Sequence, residues 1–329
     1  MHNNGRDDSV PVRFAHKRRI PAIPKNWLAR KEQSPIMERF VDHPLAAELE
    51  TAIAAARDAG RLVNDLYARA AAAVYEKSDG SPVTDADLAA DRLIRESISA
   101  RFPADAFLTE ESADDLTRLT ARRCWIVDPI DGTAQFIART GRFDVVIALV
   151  VDGRPAVGVI CHPPSGSILF AIDKAGAWFD TDGHLRPARI PAASPNAPIR
   201  IAGTIWFGMP ALEAERDRVA AAIGWVAAET LPIGVRPIEL LDPNRPFDAV
   251  IGPIASSSTT YGGEWDFAAP DLIIREAGGM MSDLSGHPHQ FNKARTRNSG
   301  GLIYSCDPDT HAKIVAVAAT ALPLDRDDD

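Results

Sequence analysis

The stretch Cys124-Trp125-Ile126-Val127-Asp128-Pro129-Ile130-Asp131-Gly132-Thr133-Ala134-Gln135-Phe136 decides how this chain is read. An apolar run stops abruptly in two acids, a Pro, a Gly and a Thr. Trp125-Ile126-Val127 reads as a buried strand. Pro129 has no N–H to donate and is expected to end the ladder. Asp128 and Asp131 then fall just past the C-terminal end of the strand, where open α/β sheets place their ligands. Gly132 and Thr133 offer backbone N–H groups, and Thr133 adds a hydroxyl. Two hard carboxylates beside an N–H-rich turn suit a divalent cation and a phosphate held together.

Strands are expected on both sides of this stretch. Phe107-Leu108-Thr109 precedes it and leads into Glu110-Glu111-Ser112. Val145–Val151, Ala156–Cys161, Ile168–Ile172 and Ala177–Phe179 follow it, separated by Asp152-Gly153 and by Pro163–Gly166. Short strands with tight turns read as an antiparallel meander. Upstream, Leu45 to about Val74 is Ala-rich with apolar residues at helical spacing. A second helix is expected over Asp85–Ala100, with Thr84 and Asp87 set as a capping box. The first lobe is thus two helices on a mostly antiparallel sheet.

Four prolines between 187 and 198 mark a seam between lobes. Beyond it the reading is strand (199–201), helix (210–223), strand (249–251), polar loop (256–260) and helix (264–277) stopped by Gly278-Gly279. Strands at 280–283 and 301–304 follow. A helix over 308–320, with Asp307 as N-cap and Pro308 at its first position, closes the chain. Strands alternating with helices suggest an α/β second lobe. The boundaries drawn are 1–40, a disordered basic arm; 41–190, an α+β lobe; 191–322, an α/β lobe; and 323–329, an acidic tail. Composition makes the arm a disordered segment. A start at Met37, or an arm that binds nucleic acid or a partner, are the alternatives.

With 329 residues, 46% hydrophobic and 25% charged, the chain has the make-up of a globular protein with room for two lobes. A net charge of −9 gives no global pull toward nucleic acid, so none is expected as a partner. Three cysteines far apart fit neither a disulfide framework nor a zinc site, and suit a reducing, cytoplasmic setting. No apolar run approaches the ~20 residues of a membrane span, and no signal-peptide core opens the chain.

Four acids stand out by context: Glu110 after a short strand, Asp128 and Asp131 around Pro129-Ile130, and Asp266 in the first turn of a helix. Taken singly, each has a plain role. Asp266 would favour a positive helix end, Glu110 would be solvated, and Asp131-Gly132 would be an ordinary turn. Together they resemble the inositol monophosphatase superfamily. Trp125–Thr133 is similar to its first signature, and Glu264-Trp265-Asp266-Phe267-Ala268-Ala269-Pro270 with Glu276–Gly279 to its second. Lys77, Pro82–Asp87 and Glu110-Glu111-Ser112 match lesser motifs in the same order.

The resemblance spans roughly residues 45 to 320. It implies a layered αβαβα sandwich of the inositol monophosphatase and fructose-1,6-bisphosphatase type. It implies two or three Mg²⁺ ions held by Glu110, Asp128, the Ile130 carbonyl, Asp131 and Asp266. Thr133 and Asp87 would orient and deprotonate a metal-activated water. Asp87 could instead be only the acid of its helix cap. The N–H groups of Gly132 and Thr133, with Asp131 and Asp266, would meet phosphate and substrate. Lys77 would stand near the metals or phosphate, or be a solvated surface lysine, and Glu111 is a further possible site residue. The family implies a homodimer. A haloacid-dehalogenase reading fails, because its nucleophile would fall on Pro129. An EF-hand also fails: its twelfth position is Arg139.

The chain departs from its relatives at four points. Thr259 stands seven residues before Asp266, where a carboxylate often meets substrate hydroxyls. The proline-rich stretch 231–253 lacks the usual Ala-rich helix pattern, in the region that tends to carry substrate selectivity. Gln135 replaces a commoner Asn, and Pro270 lies inside its helix. The expected function is a Mg²⁺-dependent phosphomonoesterase for a small phosphorylated metabolite, inositol monophosphate-like first. Histidinol phosphate and 3′-phosphoadenosine 5′-phosphate are the alternatives, and a non-catalytic binding role is the alternative from another class.

Overall fold

A computed structural model describes residues 35–77, 80–194, 197–204, 214, 217, 221, 236–245, 247–252, 261–298 and 300–321. The arm up to residue 34, most of the expected helix 210–223, the loop bearing Thr259 and the acidic tail lie outside the described residues.

The arm expected over 1–40 is corrected at its end, because Pro35–Phe40 form a helix, α1. Ile36 and Phe40 are buried in the main core, and Phe40 meets Phe170 and Trp178 edge-on. Helix α2 (Ala46–Ala68) is shorter than expected. Ala70 takes a left-handed φ of 49°, and Val74–Glu76 become strand β1, paired antiparallel with β2 (Pro82–Thr84). Cross-strand pairing overrides the helix preference of the alanines there. Helix α3 (Asp85–Ser99) begins at the expected capping box.

The central sheet takes β3 (Ala106–Thr109), β4 (Arg123–Asp131), β5 (Asp144–Val151), β6 (Arg154–His162), β7 (Ser167–Ile172), β8 (Ala177–Thr181) and β9 (His184–Ala188) in that spatial order. Only β3 and β4 run parallel; the other pairs are antiparallel, as the meander requires. The β1–β2 hairpin and β9 were not foreseen. Period-2 alternation divides the sheet between two cores. Trp125, Val127, Val145, Ile147 and Leu149 face the side of α2 and α3. Cys124, Ile126, Val146, Ala148 and Val150 face the other side. Both faces are covered, so β5 reads as an unbroken apolar run.

Helix α4 (Thr133–Ile137) follows β4. After the meander come β10 (Ile201–Gly203), α5 (Pro237–Leu240), β11 (Ala249–Gly252), β12 (Tyr261–Gly263), α6 (Glu264–Glu276), β13 (Met280–Ser282), β14 (Arg297–Asn298), β15 (Leu302–Ser305) and α7 (Pro308–Ala321). Strands β10-β11-β15-β13 make a second, mixed sheet, and β12 pairs with β14. Helix α6 lies between the two sheets and α7 packs outside the second, which completes the αβαβα layering. The contact of α6 with the central sheet is close: a Cβ at Gly158 would stand 3.0 Å from the Ala269 carbonyl oxygen. Helix α6 runs through Pro270 and ends at Gly278, whose φ of +100° suits only glycine without strain.

Candidate active site

Strand β4 does not stop at Pro129. It pairs with β5 from Arg123↔Val151 to Asp128↔Val146, slips, and resumes at Asp131↔Asp144. The expected end of the ladder is therefore corrected to a bulge. The missing N–H of Pro129 falls where pairing is already interrupted, so it costs no ladder bond. The bulge turns the Asp128 carboxylate back on its own chain, where Oδ1 accepts from the Ile130 amide at 3.0 Å.

Asp266, in the first turn of α6, completes a group with Asp128 and Asp131. Carboxylate oxygens of the three lie within 4.8 Å of one another. The Gly263 amide donates to Asp266. Burial, and then the charges of Glu110, Asp131 and Asp266, push Asp128 well above the carboxylate range. Burial, and then Asp266 and Asp144, do the same to Asp131, although Arg236 acts the other way. Asp266 is pushed up to about 7 by burial and by Glu110, against the Gly263 amide, Arg297 and Lys77. An all-oxygen set whose mutual repulsion nearby basic groups do not cancel fits a hard divalent cation such as Mg²⁺.

Glu110 follows β3, and its amide donates to the Val127 carbonyl at 3.1 Å, which sets it beside β4. Lys77, in the turn of the β1–β2 hairpin, donates to Glu110 at 2.8 Å and to Glu111 at 2.6 Å. Its side chain is only 12% exposed, so it is an interior cation and not a solvated lysine. Burial would lower its pKa, but the charges of Glu110 and Glu111 outweigh that and raise it. Glu111 is pushed up to about 8 by burial and by Glu110, against the pull of Lys77.

Asp87 holds two relationships at once. Its Oδ2 accepts from the Thr84 amide at 2.8 Å and caps α3. Its Oδ1 accepts from the Thr133 hydroxyl at 2.9 Å. Thr133 Oγ1 is also 3.2 Å from the Ile130 carbonyl oxygen, which brings that carbonyl to the same spot. Burial raises Asp87 to about 6, against hydrogen bonds from Thr84 and Thr133. Gly132 precedes Thr133 with φ +94°, and a Cβ there would stand 2.9 Å from the Arg142 carbonyl oxygen. Position 132 therefore needs glycine for both conformation and space.

Three polar residues beside this group, Asp144, His162 and Arg236, were missed from sequence. Asp144 sits opposite Asp131. Its Oδ1 is 2.9 Å from His162 Nδ1, and its Oδ2 is 3.1 Å from Arg236 Nε. One signal was available: an acid opening an otherwise apolar, almost wholly buried strand is out of place unless something pairs with it.

The model of the inositol monophosphatase family matches residues 45–322. The chain belongs to that family. Among curated relatives, a protein of Streptomyces griseus named glucose-1-phosphate thymidylyltransferase is 38% identical over 66% of this chain and 78% of its own. The 3′(2′),5′-bisphosphate nucleotidase CysQ of Aggregatibacter actinomycetemcomitans is 34% identical over 74% of this chain and 87% of its own. Among solved structures, the extragenic suppressor protein suhB of Bartonella henselae superposes with a TM-score of 0.67 at 25% identity, covering 84% of this chain and all of that one. This member of the family thus has relatives bearing different activities in their names. Among the described residues, no helix is long and apolar enough to cross a membrane.

Proposed function

We propose that this inositol monophosphatase family member is a Mg²⁺-dependent phosphomonoesterase of small phosphorylated metabolites. The observation that carries the reading is the cluster of buried Asp128 with half-buried Asp131 and Asp266 beside the Thr133–Asp87 hydrogen bond. Asp128, Asp131 and Asp266, with Glu110 and the Ile130 carbonyl, would hold the two or three ions. Bound Mg²⁺ supplies Lewis acidity toward water and the departing alkoxide. The chain's own residues handle the proton. Thr133 donates its hydroxyl hydrogen to Asp87 Oδ1, so its lone pairs face outward to accept from the attacking water. Asp87, held near 6 by burial, is poised to take up that proton close to neutral pH. Gly132 and Thr133 leave backbone N–H groups for phosphate oxygens, beside Asp131.

Within this class the family expectation is an inositol monophosphate-like substrate, with histidinol phosphate and 3′-phosphoadenosine 5′-phosphate next. A cytoplasmic homodimer belongs to the same expectation, and sedimentation of the purified protein tests the dimer. The test of the activity is phosphate release by purified protein from these three esters, with Mg²⁺ and with EDTA. Release that needs Mg²⁺ is expected, and no release from any ester refutes the proposal.

A further inference from the structure

A cavity of about 240 Å³ opens beside Asp131, between the central sheet and α5. Strand register explains its shape. Asp131 faces Asp144, Asp144 hydrogen-bonds His162, and His162 faces Ser167. That polar row crosses β4 to β7 and begins at the metal-site acid. Two residues along each strand, hence on the same face, lies an apolar row. Val146 faces Ile160, Ile160 faces Leu169, and Leu169 faces Phe179. Arg236, Pro237 and Ile238 of the α5 segment roof both rows.

We propose that this cavity receives the leaving group of the substrate, and that the group carries a flat aromatic heterocycle rather than being a bare polyol ring. The proposal rests on the phosphatase reading above, because Asp131 is the wall shared by the metal site and the cavity. A phosphate held at Asp131 places the next atoms of the ester at the head of the polar row. Three strand spacings of about 4.8 Å carry that row roughly 14 Å from Asp131 to Ser167. A ligand lying along it has one edge against hydrogen-bonding groups and one face against Val146, Ile160, Leu169 and Phe179. A flat heterocycle has such an edge and such faces. A polyol carries hydroxyls around its whole rim. Those turned to the apolar row would be buried without partners, at about 1–3 kcal/mol each.

Size agrees. The cavity is below the roughly 300–1,000 Å³ of drug-sized pockets and suits one ring system. Flat groups line it: the His162 imidazole, the Phe179 ring and the Arg236 guanidinium. Phe179 is steadied from β9 by Arg186, whose guanidinium lies 4.5 Å from its ring centre. The Arg236 guanidinium is held by Asp144, and planar guanidinium groups stack on aromatic rings.

The test measures kcat/KM of the Mg²⁺-loaded enzyme for adenosine 2′-phosphate, myo-inositol 1-phosphate and glycerol 2-phosphate. Wild type is expected to favour the adenosine ester over both others by tenfold or more. Phe179→Ala should lower that preference about tenfold, or about 1.4 kcal/mol. Phe179→Leu keeps bulk but not flatness. It should show the same loss and serves if the alanine variant does not fold. A wild type that prefers inositol phosphate, or a preference unchanged in both variants, overturns the proposal. If no ester releases phosphate, the phosphatase reading fails by itself, and calorimetry with adenosine then decides the cavity. Binding to wild type that is at least tenfold weaker in the Phe179 variants supports it, and no binding to wild type overturns it.

Discussion

Replacing Asp128 by Asn separates the charge of the clustered acids from their packing. Asn matches Asp in size and keeps an acceptor for the Ile130 amide, now 3.0 Å from Asp128 Oδ1. What disappears is a negative charge whose carboxylate lies within 4.8 Å of those of Asp131 and Asp266. Two unit charges at that separation repel by about 3.5 kcal/mol at an effective dielectric of about 20. Protonation already relieves part of this in the native protein, since burial and neighbouring carboxylates raise Asp128. The net relief at pH 8 is therefore on the order of 2 kcal/mol. In a chain of this length that corresponds to a melting temperature about 3 °C higher. The assay is thermal unfolding by circular dichroism at pH 8, in EDTA and in millimolar Mg²⁺. Asp128→Asn should melt above wild type in EDTA, lose the upward shift that Mg²⁺ gives wild type, and release no phosphate. A variant that melts below wild type in EDTA, or keeps the full Mg²⁺ shift, would falsify the electrostatic account.

Three further outcomes follow from the geometry. Thr133→Ala should lower kcat by about a hundredfold or more and cost about 1–3 kcal/mol of stability through the donor lost to Asp87, while Thr133→Ser, which keeps the hydroxyl on Asp87, should stay within about tenfold of wild type. Equal losses in the two variants would remove the hydroxyl from the reaction. Lys77→Met leaves Glu110 and Glu111 without their shared cation and should cost about 3 kcal/mol by denaturant titration, part of it recovered by adding Glu111→Gln. In EDTA, stability should fall as pH rises from 5 to 8. Asp87 and Asp266 titrate near 6 and 7 in the folded state against 3.8 as the unperturbed value, so the native state binds protons more tightly and their contribution is lost as pH rises through those values. A denaturant midpoint that rises over this range in EDTA contradicts the sign.

Much of the fold was legible because its signals are local. The short apolar strands and tight turns of β5 to β8, the capping box at Thr84, and the glycine stop after α6 each depend on residues within a few positions of one another. The site acids were legible for the same reason, since Asp128, Asp131 and Glu110 sit in recognisable short contexts and Asp266 opens a helix. Helix α2 was drawn too long because the alanines after Ala68 favour helix by themselves, whereas pairing of β1 with β2 decides where they go. Lys77 could not be placed from sequence, because its surroundings are set by Glu110 and Glu111, 33 and 34 residues away.

By itself, then, the sequence pointed to the family through two short motifs, and that resemblance implied the acids, the threonine and the glycine turn as candidate site residues. Tertiary structure decided the rest. It turned the expected end of β4 into a bulge, and it joined Asp87 to Thr133 across 46 residues. It also lined up Asp131, Asp144, His162 and Ser167 as one polar row beside an apolar one. The physical reason is register. Which side chains become neighbours across a sheet depends on how whole strands pair, and no short window of sequence carries that information.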